Sequence, residues 1–67
     1  MEKVEIYDTY IDVLDAKLAI YYEQKKVLEK VLSEEPTNPD YFIDYYIVTN
    51  TIEKLLEFKI TIAKGKN

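Results

Sequence analysis

Cysteine, histidine, arginine and tryptophan are all absent from this 67-residue chain, and glycine occurs once. Without cysteine there can be no disulfide staple, a composition that fits a reducing compartment and leads us to expect a cytoplasmic protein. Without histidine, a metal would have only oxygen ligands, and the Glu plus Glu-x-x-His pattern of di-iron bundles cannot occur. All nine basic residues are lysines and the net charge is −4. An acidic chain without arginine is a poor direct binder of nucleic acid, whose phosphates must be neutralised by basic groups.

Catalytic groups are just as scarce. Ser33 is the lone serine, and no glycine-rich phosphate loop is present. Nucleophilic, general-base and phosphoryl-transfer chemistry each need groups that this chain lacks or cannot enclose. The chain is therefore expected to be no enzyme and to carry no cofactor. Long hydrophobic runs are missing too. The longest, Leu18 to Tyr22, is five residues, against the roughly 20 that a membrane-spanning helix requires. The Met-Glu-Lys-Val-Glu start has no basic region leading into an apolar core, so neither a secretory signal nor a membrane partner is expected.

What the chain does have is apolar periodicity. One stripe runs Val4, Tyr7, Ile11, Leu14, Leu18, Tyr21, Lys25, Leu28, Leu32, stepping by three and four. A second runs Ile6, Tyr10, Val13, Lys17, Ile20, Gln24, Val27, Val31 on the same step. A helix with one neighbour needs one seam; two adjoining stripes call for two neighbours. So short a chain normally needs a staple. With disulfides gone and metal ligands poor, oligomerisation is what remains.

The sequence predicts two helices. The first spans about residues 2–33, ending where Pro36 forces its predecessor out of the helical region. A loop follows over about 34–38, and the second helix spans about 39–64. Asn38 is placed to cap it, Pro39 suits its first position, and Asp40 complements the positive end of its dipole. Gly65 is placed to end it. A stripe of Tyr41, Tyr45, Val48, Ile52, Leu55, Lys59 and Ile62, flanked by Phe42, Leu56 and Ala63, marks its inner face. Val48 to Ile52 is a run of poor helix formers, so local propensity makes it the weakest stretch. Residues 56–62 alternate as a strand would, leaving open a strand paired across a dimer.

Charge favours a hairpin. Residues 1–16 carry five acids and one lysine, net −4, while 17–32 are net +2; residues 33–44 are net −4 and 45–67 net +2. Each helix is acidic first and basic last, which suits both macrodipoles. Antiparallel pairing sets each acidic half beside a basic one. The fold class expected is all-α: one antiparallel two-helix hairpin over residues 1–67, dimerising into a four-helix bundle through Ile6, Tyr10, Val13, Ile20, Val27 and Val31.

Three other groupings bear on function. Glu5, Asp8, Asp12 and Asp15 form a carboxylate stripe roughly 5–6 Å from group to group; it reads first as a solvated face, second as a docking rail for a basic partner or a mimic of a nucleic-acid backbone. Lys25 and Lys59 interrupt apolar stripes and are expected to lay their stems along the seam with their ammonium groups in water. The seven tyrosines divide: Tyr41 and Tyr45 are expected to plug the loop end, while Tyr22 and Tyr46, with Asp40 and Asp44, are candidates for one partner-binding patch. Tyrosine supplies large contact area and a hydroxyl that tolerates water.

These features point to a small non-enzymatic protein-binding module, homodimeric, that regulates or inhibits an unidentified partner protein. The alternatives are a scaffolding factor that assembles larger proteins and an acidic nucleic-acid mimic that blocks a DNA-binding protein. Residues with AT-rich codons far outnumber those with GC-rich ones, as in low-GC bacteria, some archaea, or their viruses and mobile elements.

Overall fold

The computed structural model describes residues 3–66, with side chains from Ile6 to Gly65. Two helices account for nearly all of it: α1, Lys3–Glu34, and α2, Pro39–Lys66. The start of the first helix near Glu2, the side chain of Val4 in the first stripe and that of Glu5 in the carboxylate stripe lie outside the described residues.

The turn is built from the groups the sequence supplies. Asn38 accepts hydrogen bonds through Oδ1 from the backbone N–H of Asp40 at 3.0 Å and of Tyr41 at 3.3 Å. Its own carbonyl accepts the first helical bond, from Phe42 N–H at 3.1 Å. That is an asparagine N-cap, with Pro39 where its missing N–H costs nothing. On the other side, Glu35 N–H closes onto the Val31 carbonyl at 2.8 Å, and Asn38 N–H onto the Glu35 carbonyl at 3.2 Å.

The helices pack antiparallel. Lys59 Nζ meets Asp15 Oδ1 at 2.7 Å, and Tyr45 donates its hydroxyl to Glu29 Oε2 at 3.1 Å. Moving fourteen residues forward in α1 moves fourteen residues back in α2. The acidic first half of α1 thus pairs with the basic last half of α2, as the charge pattern requires. Lys59 keeps its side chain partly exposed while bridging to Asp15, and Lys25 is half-buried.

Among the described residues, five side chains are buried: Leu14, Leu18, Val48, Ile52 and Ile62. Leu18, Val48 and Ile52 form the core, with Tyr21, Leu28 and Leu55 packed against them. All belong to the first stripe of α1 and the inner stripe of α2. The stretch from Val48 to Ile52, weakest by propensity, is therefore at the core's centre. Packing outweighs the ~0.5 kcal/mol per residue that β-branched residues lose in a helix. Thr51 and Thr61 return their hydroxyls to the carbonyls of Ile47 and Glu57, one turn earlier, at 2.8 and 3.1 Å, so they need no competing partner.

Two expectations about α2 change. Residues 56–62 are helical, and the strand alternative is gone. Gly65 does not end the helix: α2 continues to Lys66, and no glycine takes a positive φ. A Cβ at Gly65 would lie 3.5 Å from the Tyr7 hydroxyl oxygen. The glycine faces the Tyr7 ring instead of adopting the left-handed cap that its position near the end of the periodic stripe suggested.

Candidate functional site

The second stripe of α1 lies open. Tyr10, Val13, Ile20 and Val27 retain 52%, 49%, 58% and 55% of their surface, while Ile6 and Val31 at its ends are half-buried. Two grooves follow this stripe. One, of about 630 Å3, is lined by Ile20, Glu23, Gln24, Val27 and Leu28 of α1 and Asp44, Ile47 and Val48 of α2. The other, of about 610 Å3, is lined by Thr9, Tyr10, Val13, Leu14 and Lys17 of α1 and Phe58 and Ile62 of α2. Tyr10, Val13, Lys17, Ile20, Gln24 and Val27 step by three and four along one side of α1, so both grooves belong to one face of the hairpin. α2 contributes Ile47 and Phe58 to that face, both more than half exposed, with equally exposed Ile43 beside Ile47.

The four residues expected to share a partner patch do not share one. Residues two apart on a helix point about 200° away from each other. Asp44 lines the groove, with Asp40 one turn before it on the same side; Tyr46, two residues past Asp44, lies on the opposite flank of α2. Tyr22 stands in the same relation to Ile20 and so faces away from the groove on α1. Being near the turn was not enough to bring them together; helical phase separates them into two pairs. Tyr46 instead has Phe42 one turn before it, and the two are 67% and 63% exposed. Leu56 and Ile60 continue this outer flank further along α2 on the same three-and-four step, both exposed. Tyr41 and Tyr45 are half-buried near the turn, Tyr45 anchored to Glu29.

The carboxylate stripe is no uniform rail. Asp8, Asp12 and Asp15 are exposed, but Asp15 is engaged by Lys59. Among the described residues, no group of three or more His, Cys, Asp or Glu could hold a metal ion. No helix there is long and apolar enough to cross a membrane.

The sequence pattern underrated α2. On its groove side the three-and-four step reads Asp40, Asp44, Ile47, Thr51, Lys54, Phe58, Thr61, with only two apolar members. Such a stripe gives little periodic signal. Its apolar members matter because they lie beside the continuous stripe of α1, a juxtaposition visible only once register is known. No protein family matches the chain, and neither does any curated protein or solved structure.

Proposed function

We propose that the chain is a non-enzymatic protein-binding module that works as a homodimer, two hairpins joined face to face in a four-helix bundle, and that regulates or inhibits a partner protein. One observation carries the reading: the hairpin leaves too much surface uncovered to be a finished globule, with Tyr10, Val13, Ile20 and Val27 among the exposed apolar side chains. A globular monomer of 8.0 kDa exposes about 4,450 Å2, whereas this one exposes 5221 Å2. The excess, roughly 800 Å2, is about what each partner gives to a standard interface. Its radius of gyration is 15.4 Å, against about 11 Å for a compact chain of this length.

In this reading the groove face is the dimer seam, and the outer flank of α2, led by Phe42 and Tyr46, is left for the unlike partner. A cytoplasmic setting accords with the lack of cysteine. The scaffolding alternative would use the same surfaces to build an extended lattice, where a regulator forms a complex of defined stoichiometry. The mimic is disfavoured by the Lys59–Asp15 bridge, which withdraws one carboxylate from the stripe.

Sedimentation equilibrium from low to high micromolar concentration tests the dimer; a stable monomer throughout would sink the proposal. Once a partner is in hand, Tyr46→Ala should weaken its binding by roughly thirtyfold, the size of a typical aromatic hot spot, with helicity unchanged. Loss of binding on reversing Asp8 and Asp12, with none on Tyr46→Ala, would move the mimic to the front.

A further inference from the structure

The two halves of the groove face differ in charge. The half nearer the turn has two acids among its lining residues, Glu23 and Asp44, and no base. The half nearer the chain ends has one base, Lys17, and no acid. In other respects the halves are alike: both are mainly apolar, and their volumes agree within a few per cent.

We infer that the occupant of this face is a second copy of the chain laid end for end, the Lys17 half of each hairpin covering the Glu23–Asp44 half of the other. The inference rests on the homodimer proposed above and fixes its orientation. A two-fold axis within the interface can run along the hairpin or across it. Along it, like ends superpose, so lysine half meets lysine half and acidic half meets acidic half. Across it, unlike ends superpose, and symmetry makes the favourable pairing twice. Helix dipoles do not decide the matter, because either orientation gives every helix antiparallel neighbours. The charges that line the two grooves, Glu23 and Asp44 against Lys17, favour the end-for-end pairing, since like charges brought together in a partly dehydrated seam are costly and unlike ones fix register.

Size agrees with this occupant. The Cα atoms extend 50 × 15 × 12 Å, so the broad face is close to the ~800 Å2 per partner of a standard interface. With helices of 32 and 28 residues, an end-for-end copy overlaps nearly the whole face.

The absence of cysteine allows a single spin label to be placed cleanly. Thr37→Cys puts it in the exposed turn. Electron–electron dipolar spectroscopy of the labelled dimer should give a distance near the 50 Å length of the hairpin. A distance of about 20 Å, twice a helix–helix spacing, would overturn the orientation while leaving the dimer standing. A monomer in sedimentation, with no dipolar signal, would overturn the dimer itself. Charge reversal gives a second reading. Lys17→Glu, and separately Glu23→Lys with Asp44→Lys, should each weaken self-association roughly tenfold at low salt. An equimolar mixture of the two variants should restore it, because each then presents the charges the other needs. In a like-end dimer neither variant alone would weaken association, and that result also refutes the end-for-end arrangement.

Discussion

Replacing Ile20 separates the groove face from the core. Ile20 keeps 58% of its surface exposed in the hairpin and lines the groove near the middle of α1. Fully burying an isoleucine side chain contributes about 1.5–3 kcal/mol. In the proposed dimer, covering the exposed part would therefore contribute about 1–2 kcal/mol per copy, and about 2–3.5 kcal/mol over the two-fold interface. Ile20→Ala removes most of this and, alanine being the better helix former, leaves α1 no weaker. Its dimer should dissociate with a Kd raised roughly 30- to 300-fold. Ile20→Asp would also place a carboxylate in the proposed seam, where dehydration costs several kcal/mol more, and should be monomeric at micromolar concentration. Sedimentation equilibrium, with circular dichroism at matched concentrations, reads both effects. A Kd for Ile20→Ala within threefold of the parent would refute the assignment of this face to the seam. Loss of helix at concentrations where the parent is already monomeric would show that Ile20 supports the hairpin itself.

Other consequences are open to direct measurement. Thr49 has a buried hydroxyl with no hydrogen-bond partner, and an unsatisfied buried group costs about 1–3 kcal/mol; Thr49→Val should raise Tm by several degrees in a thermal melt, and a lower Tm would show that the hydroxyl finds a partner. Gly65→Ala should stabilise by up to about 1 kcal/mol, since it gains helix propensity and its methyl makes only ordinary contact with Tyr7; destabilisation in urea unfolding would mean that the ring cannot give. The Lys59–Asp15 bridge is short but has both side chains about 40–50% exposed, so a double-mutant cycle should find under about 1 kcal/mol, shrinking with salt. Amides of Val48 to Ile52 should exchange with deuterium as slowly as those around Leu18; faster exchange would show that packing does not compensate for propensity there.

Much of the architecture was legible because it is written in local rules. The apolar steps of three and four, the Asn38-Pro39-Asp40 start and the acidic-to-basic drift of each helix all specify the hairpin before any long-range contact is considered. What local rules cannot carry is phase between elements. The grouping of Tyr22, Asp40, Asp44 and Tyr46 relied on nearness along the axis, whereas membership of a face depends on angle about it. Gly65 illustrates the same gap: as punctuation it reads as a stop, but its environment is the Tyr7 ring from the far end of the chain. The low propensity of Val48 to Ile52 misleads for a related reason, since the core formed with Leu18 is invisible to a scale that weighs residues one at a time.

The antiparallel pairing also imposes an order in time. Near the turn, Tyr45 and Glu29 are 16 residues apart in sequence; Lys59 and Asp15 are 44 apart. In an open chain, closing the longer loop first costs about 0.9 kcal/mol more entropy than closing the shorter. Each contact made near the turn shortens the loop that the next must close. The hairpin should accordingly fold as a zipper, nucleating at the capped turn and advancing toward the ends, with Tyr7 settling against Gly65 last. Unfolding runs the same path backward: the ends part first, and the capped turn, with Tyr45 on Glu29, is the last to open.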